Sequence, residues 1–222
     1  MKITIMIDIP DSFLHKYIHR LIAQLKERGH DVFFCTNPKE IRKGDCLFLL
    51  GCRSILPREV LNLNKHNLVV HPSKLPEGRG SAALVWKILE GENTIYITLF
   101  EATEKVDSGD IYFQEKIELE GHELSDEIRF KQAMKTFELV LRFVDEYPNV
   151  KARKQIGKPT YYPKRIPKDS ELDIDKTIRE QFNLLRVVDN ERYPAFFRYK
   201  GHKYILKIYK DKNECEDENG KS

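Results

Sequence analysis

The chain has 222 residues, of which 41% are hydrophobic and 33% charged, and its formal net charge is +3. This composition is typical of a soluble globular protein and excludes an intrinsically disordered one. The small net charge gives no indication of a nucleic-acid partner, but it tolerates an anionic small ligand. The apolar N-terminal run is too short for a signal peptide or a membrane span. We therefore expect a cytoplasmic protein without membrane contact, present as a monomer or homodimer.

The spacing of cysteines and histidines gives no indication of a metal centre. His15 and His19 lie one helical turn apart, a spacing that zinc sites use, but no third ligand is evident. The four cysteines are Cys35, Cys46, Cys52 and Cys215; they contain no CxxC pair, and three of them lie in or beside apolar runs. We therefore predict reduced, buried thiols and no metal site.

Short apolar runs alternate with helical patterns over the first part of the chain. The predicted strands are residues 2–8, 31–35, 46–50, 67–71, 94–100 and 111–119. The predicted helices are a pattern from Phe13 that stops at Gly29, a short helix after Pro57, and residues 81–89 and 125–147. Such alternation is typical of βαβ units. It predicts an α/β fold with a doubly wound, mainly parallel sheet over residues 1–150.

The pattern changes after Pro148. Residues 151–168 are basic and rich in proline, which predicts a linker or loop. A helix over residues 174–187 and a hairpin of residues 196–199 with 203–209, turning at Lys200-Gly201, complete a small C-terminal α+β subdomain over residues 151–210. Residues 211–222 are polar throughout and predict a disordered tail.

Two loops carry the candidate chemistry, because ligands of open α/β sheets bind outside the carboxyl ends of the strands. His71 ends one predicted strand and begins the run HPSKLPEGRG, and Asp107 and Asp110 follow another strand in the run DSGD. A carboxylate beside an imidazole orients the ring and stabilises its charged form. By position alone, however, a histidine at a strand end is more often a solvated residue than a catalyst.

Both runs resemble the formyltransferase superfamily. His71 to Gly80 is similar to its HPSLLPxxRG-like loop, and the DSGD run of residues 107–110 is similar to its DxGD motif. The run LGCRSIL of residues 50–56 looks like the loop whose backbone hydrogen-bonds the folate pterin. The resemblance covers residues 1–145 and implies a Rossmann-like formyltransferase fold.

The resemblance implies transfer of a formyl group from N10-formyltetrahydrofolate to an amine. His71 and Asp107 would be catalytic, His71 stabilising the oxyanion and Asp107 supporting the imidazolium. The residues implied to bind the folate are Arg53, Ser54, Ile55, Leu56 and Asp110. The family usually carries an asparagine two residues before the histidine, where this chain has Val69. Asn67 is one residue pair too far back along the strand to replace it.

The C-terminal part resembles that of sugar N-formyltransferases, which implies a nucleotide-linked amino sugar as the acceptor. The implied substrate-binding residues are Ser73, Lys74, Arg79, Gly80, Arg165, Asn183, Arg186 and Phe196. Guanidinium groups suit a diphosphate and aromatic rings suit a base or sugar face. Alternatively, Arg186 is a helix-surface charge and Phe196 is packed in the hairpin, as parts of a purely structural appendage.

The compact size and the run GRGSA are most similar to the formyltransferase of pseudaminic-acid-type pathways, which implies a UDP-linked 4-amino-4,6-dideoxyhexose. Three alternatives remain open at this point. They are a dTDP-linked amino sugar as acceptor, a catalytically impaired protein that binds nucleotide-sugar or folate, and a hydrolase that deformylates the folate.

Overall fold

The computed structural model describes residues 1–211. Cys215 and residues 212–222 of the predicted tail lie outside the described residues. The strands are β1 (Lys2–Met6), β2 (Asp31–Cys35), β3 (Gly44–Leu49), β4 (Asn64–His71), β5 (Arg79–Gly80), β6 (Thr94–Glu101), β7 (Ile111–Glu118), β8 (Tyr161–Tyr162), β9 (Ala195–Tyr199) and β10 (His202–Leu206). The helices are α1 (Ile18–Glu27), α2 (Arg58–Leu61), α3 (Ala83–Leu89), α4 (Ser125–Glu146) and α5 (Phe182–Val187). Within residues 1–211, no helix is both long and apolar enough to cross a membrane.

The central sheet confirms the predicted fold class. Its strand order is β2-β1-β3-β4-β6-β7, and the pairs among β1 to β4 are parallel. Side chains alternate between the two faces of each strand. One face carries the larger core, formed with α1, α3 and α4. The other face carries a smaller cluster, covered by α2 with its flanking residues and by Ile41, which leaves room for cavities on that side.

One strand direction differs from the prediction. β6 runs antiparallel to β4, with His71 opposite Thr98, and β7 is antiparallel to β6. The carboxyl end of β6 therefore does not lie at the same edge as His71. Residues 102–110 fold back to bring Asp107 to that edge. An apolar run indicates a buried strand but does not encode its direction, so the sequence pattern could not show this.

The first predicted helix is shorter than expected. Phe13–Lys16 forms a 3-10 turn, and α1 begins only at Ile18. The Ser12 hydroxyl accepts a hydrogen bond from the Leu14 N–H, so the chain is capped as a separate turn. Helix α4 agrees with its prediction to within one residue and presents its apolar stripe to the sheet.

The C-terminal part differs from its prediction in one helix. The helix predicted over residues 174–187 is reduced to a 3-10 turn, Arg179–Gln181, and α5. The Gln181 amide bonds both backbone groups of Asp173, at 2.6 and 2.9 Å, and this holds the preceding residues in a turn. The predicted hairpin is present as β9 and β10, and its turn residues Lys200 and Gly201 both have positive φ.

Residues 153–162, the return segment, fold back over the first domain. Arg153 exchanges two backbone hydrogen bonds with Ile111, each 2.8 Å long. Further along, β8 pairs in parallel with β5, directly after the His71 loop. The stretch predicted as a linker is thus irregular in structure, but it contacts both loops that carry the candidate chemistry.

Candidate active site

His71 stands at the end of β4 and is held by its own loop. Its Nε2 lies 2.8 Å from the carbonyl oxygen of Gly78, so Nε2 carries a proton and donates it. In the neutral ring, the lone pair is therefore on Nδ1. The loop is shaped by a cis peptide bond at Leu75-Pro76 and is anchored by the Thr98 hydroxyl, which donates to the Ser73 carbonyl at 2.6 Å.

Asp107 faces His71 from the folded-back loop. Its Oδ2 lies 3.8 Å from His71 Nε2 and accepts a hydrogen bond of 2.8 Å from the Gly80 N–H. Both side chains are nearly buried, with 10% and 11% exposed. The Asp107 φ of 50° is left-handed, and at Gly109 a Cβ would meet the Glu101 carbonyl oxygen within 1.7 Å. Only glycine fits there, which explains the glycine of the DSGD run.

A cleft of about 510 Å³ opens onto this pair. Its lining includes His71, Asp107 and Gly80 at one side, and the aromatic rings of Phe13 and Tyr162. The basic residues that line it are Arg53 and Lys164. The mixture of rings, cations and the His71–Asp107 pair suits a polar, anionic ligand with a flat ring.

A second cavity of about 180 Å³ adjoins the cleft on the thinly covered face of the sheet. Its apolar lining includes Leu56, Leu61 and Phe100. The predicted folate-binding residues Arg53, Ser54, Ile55 and Leu56 all lie along it, as does Asp107. Asp110, predicted with them, is instead paired with Lys154 at 2.9 Å and does not line this cavity.

The loop at residues 52–56 is fixed by Asp8. The Asp8 carboxylate accepts hydrogen bonds of 2.8 Å from the N–H groups of Arg53 and of Ser54. Of the loop's described hydrogen bonds, none uses the N–H of Ile55 or Leu56, so these and the carbonyl oxygens are the groups left for a ligand. The Cys52 thiol at the start of this loop is not a nucleophile at neutral pH, because burial raises its pKa to about 12.

Val69 lines both cavities. Because it is two residues before His71, it shares the sheet face of the imidazole. Asn67 is buried and its amide nitrogen donates to the Leu61 carbonyl at 2.9 Å, and it lines neither cavity. Val69 is therefore located where the two cavities meet, and Asn67 does not replace the missing amide.

Three predicted substrate residues in the His71 loop point elsewhere. Ser73 is buried, and Lys74 lies 5.0 Å from the Tyr96 ring. The Arg79 guanidinium is bound to the return segment through Gln155, at 2.7 Å. Of the loop residues predicted to contact substrate, Gly80 lines the cleft.

The structure corrects the prediction for Arg186 and Phe196. Arg186 is wholly buried on α5 and pairs with Glu123 at 3.0 Å, and desolvation lowers its pKa. Phe196 is also buried, with Lys203 over its ring. Phe196 is thus packed in the hairpin, as in the structural alternative, whereas Arg186 is not a surface charge but joins α5 to Glu123 and Asn93. Arg165 donates to the Asp169 carbonyl, Asn183 is half-buried on α5, and neither lines the cleft.

Three residues that line the cleft were not selected individually as site residues: Phe13, Tyr162 and Lys164. Tyr162 and Lys164 nevertheless lie in the C-terminal run that resembles sugar N-formyltransferases, and Phe13 begins a predicted helix. Tyr162 stacks on Trp86 with ring centroids 6.3 Å apart, and its hydroxyl donates to Glu90. Lys164 is adjacent to the selected Arg165, which does not line the cleft. No group of three or more potential metal ligands occurs among residues 1–211.

Comparison with known proteins finds formyltransferases among the proteins similar to this chain. Residues 36–142 match the family model described as formyl transferase. A curated methionyl-tRNA formyltransferase from Fusobacterium nucleatum is 32% identical over 185 residues, which cover 78% of this chain and 57% of that protein. The chain spans about half the length of the curated methionyl-tRNA formyltransferases that it matches.

Solved structures share the fold over nearly the whole chain. A methionyl-tRNA formyltransferase from Clostridium thermocellum has a TM-score of 0.80 at 22% identity, covering 96% of this chain and 95% of its own. A 4-N formyltransferase from Francisella tularensis has a TM-score of 0.71 at 22% identity, covering 95% and 98%. The match over residues 36–142 supports the prediction of a formyl transferase domain, and the solved structures show the shared fold.

Proposed function

We propose that this chain transfers the formyl group of N10-formyltetrahydrofolate to the amino group of a nucleotide-linked amino sugar. The observation that carries the proposal is the meeting of the two cavities. Val69 and Asp107 line both of them, and His71 lines the cleft beside Asp107. A donor in the small cavity and an amine in the cleft would approach each other at the His71–Asp107 pair.

The small cavity fits the pterin end of the folate. Its walls are apolar, and the loop at residues 53–56 offers backbone groups at its edge, which suits a flat ring rimmed by hydrogen-bonding groups. The folate supplies an activated formyl carbon whose bond to N10 breaks during transfer. The carboxylate of Asp8 keeps the loop in place by occupying the N–H groups of Arg53 and Ser54.

His71 and Asp107 supply the proton transfers. The acceptor amine forms a bond to the formyl carbon and loses a proton, and N10 of the folate gains one. When Nδ1 of His71 takes a proton, the ring becomes an imidazolium whose Nε2 lies near both the Gly78 carbonyl and the Asp107 carboxylate, and both stabilise its charge. The same cation stabilises the oxygen that becomes negative in the transition state.

The cleft supports an anionic acceptor with a ring. Arg53 and Lys164 suit phosphate oxygens, and Phe13 and Tyr162 offer faces for a base or sugar. We propose a UDP-linked 4-amino-4,6-dideoxyhexose of the pseudaminic-acid type as the acceptor and a dTDP-linked amino sugar as the nearest alternative. The predicted contacts of Arg165 and Asn183 with the acceptor remain part of this proposal.

A second candidate is methionyl-tRNA formyltransferase activity, which the names of the curated relatives favour. The acceptor amine would then belong to an aminoacyl-tRNA. The nearly even charge of the chain, with 38 basic and 35 acidic residues, gives less support to this acceptor, because phosphate contacts dominate nucleic-acid affinity.

The test is a panel of acceptors incubated with the protein and N10-formyltetrahydrofolate. The panel contains UDP- and dTDP-linked amino sugars, methionyl-tRNA, and a control without amine. We expect a formylated nucleotide-sugar, detected by mass spectrometry, with an equal amount of tetrahydrofolate. Formyl-methionyl-tRNA as the only product would replace the proposal with the second candidate. Formate release without any acceptor would indicate a hydrolase, and folate binding without any product would indicate an impaired binding protein.

A further inference from the structure

The return segment joins the two loops of the candidate active site, although it lies beyond the part of the chain that matches the family model. The Thr160 hydroxyl and carbonyl accept hydrogen bonds of 2.8 and 2.9 Å from the N–H groups of Gly78 and Arg79 in the His71 loop. Arg153 pairs with Ile111, where the Asp107 loop ends. The segment thus contacts each loop at its base.

Gln155 makes the central connection. Its Nε2 donates to the carbonyl oxygens of Asp107, at 2.9 Å, and of Gly109, at 2.8 Å. Its Oε1 accepts from the Arg79 guanidinium at 2.7 Å. The Gln155 amide therefore uses both donor hydrogens on the Asp107 loop and its acceptor oxygen on the His71 loop.

The bond to the Asp107 carbonyl bears on the catalytic carboxylate. Asp107 has a φ of 50°, a conformation that residues with a Cβ adopt rarely and keep only where their surroundings fix it. The direction of the Asp107 side chain follows from that backbone. Fixing the carbonyl therefore fixes the direction of the Asp107 Cα–Cβ bond, and the Gly80 N–H then holds the carboxylate 3.8 Å from His71.

We propose that Gln155 is a positioning residue, whose amide holds the Asp107 backbone so that the carboxylate faces His71. The inference rests on the proposed formyl transfer. Gln155 itself lines neither cavity, so it acts through Asp107 and not on a ligand.

The test compares Gln155→Glu and Gln155→Leu with the wild type. Glu keeps an acceptor for Arg79 but cannot donate to the two carbonyls, and Leu removes both functions. Both variants should lower kcat roughly 10- to 100-fold, because a displaced catalytic group loses its alignment, while the KM values for donor and acceptor change little. Full kcat in Gln155→Glu would overturn the proposal.

Ile156→Ala is the matched control, since this neighbouring side chain is 86% exposed. It should keep wild-type kcat. A similar loss in all three variants would show that the segment matters only as a whole, and it would contradict a specific role for the Gln155 amide. Thermal midpoints of all variants show whether any loss of kcat comes from unfolding.

A second measurement does not depend on the proposed reaction. Amide hydrogen exchange of residues 102–111 should become roughly tenfold faster in Gln155→Glu than in the wild type, since the loop loses two hydrogen bonds. Unchanged exchange would refute the positioning of this loop by Gln155. Absence of formyl transfer in the wild type, with faster exchange in the variant, would instead refute the proposed function alone.

Discussion

Strand β4 carries two histidine–carboxylate pairs, and only one of them faces a cavity. His66 Nδ1 lies 3.5 Å from Glu101, and His71 Nε2 lies 3.8 Å from Asp107. The two histidines are five positions apart, so their side chains are on opposite faces of the sheet. His66 packs among Tyr112, Phe143 and Tyr147 under α4, with ring centroids 5.6 to 6.2 Å away. His71 faces the cleft.

The two pairs show that the pairing of a histidine with an acid does not by itself indicate catalysis. Each oxygen of the Glu101 carboxylate accepts a hydrogen bond, one from the Asn67 N–H at 2.6 Å and the other from the Tyr112 hydroxyl at 2.9 Å. It thereby fixes the end of β6. The His71–Asp107 pair is positioned by backbone groups and retains Nδ1 for chemistry. Access to a ligand distinguishes the two pairs.

Replacing His71 should have the largest effect. We expect His71→Asn to lower formyl transfer roughly 10²- to 10⁴-fold, the usual contribution of a positioned acid–base group. The matched control is His66→Asn, which should keep turnover within about threefold of the wild type because His66 faces α4. Equal losses in both variants, measured as tetrahydrofolate formation, would remove the distinction between the two pairs.

Replacing Asp107 and Glu101 should change kcat unequally in the same way, but by a smaller factor than replacing the histidines. Asp107→Asn keeps an acceptor for the Gly80 N–H but removes the charge opposite His71. We expect kcat to fall about 10- to 100-fold, since a charged partner is worth more than a neutral one. Glu101→Gln should leave kcat nearly unchanged. Wild-type kcat in Asp107→Asn would show that the imidazolium needs no carboxylate.

Val69→Asn tests the departure from the family pattern next to His71. An amide at this position would stand where the two cavities meet, and we expect kcat to rise up to about tenfold through an added hydrogen-bond donor. Leu61→Asn is a control that lines the small cavity without sharing a strand with His71. A drop in kcat in Val69→Asn at unchanged thermal midpoint would indicate that the chain needs the apolar residue.

The smallest effect concerns the pH dependence of stability at Glu101. Desolvation raises the pKa of this carboxyl above its ordinary value of 4.5, against the lowering by the Asn67 N–H and Tyr112. The folded chain therefore holds the proton more tightly, and the free energy of unfolding should fall as the pH rises from 4.5 through the folded-state pKa. Urea unfolding of Glu101→Gln should lack this slope. The same slope in the variant would assign it to other groups.

The parts that the sequence predicted are local ones. The HPSKLPEGRG and DSGD runs contain the turn residues, the histidine and the acid within a few positions, so the loops could be recognised before their contacts were known. Helix α4 was predicted because its apolar stripe repeats over six turns. The direction of β6 was not, because alternation and length are the same in parallel and antiparallel strands.

The missed features depend on contacts between distant residues. Arg186 has the same sequence context as a surface arginine, and only the fold places it against Glu123, 63 positions earlier. Gln155 lies in a basic stretch that predicts a loop, and its three hydrogen bonds reach residues 46 to 76 positions away. No local pattern encodes such contacts, so neither role could be predicted from the sequence.

A crystal structure with bound ligands would show directly whether donor and acceptor meet at His71 and Asp107. The protein would be crystallised with a non-hydrolysable analogue of N10-formyltetrahydrofolate and the acceptor nucleotide-sugar. We expect the pterin to lie beside Leu56 in the small cavity and the analogue's formyl position to lie beside Asp107. The acceptor amine should lie in the cleft within hydrogen-bond reach of His71. A folate bound away from this junction, for example in the cavity between α4 and residues 185–191, would contradict it.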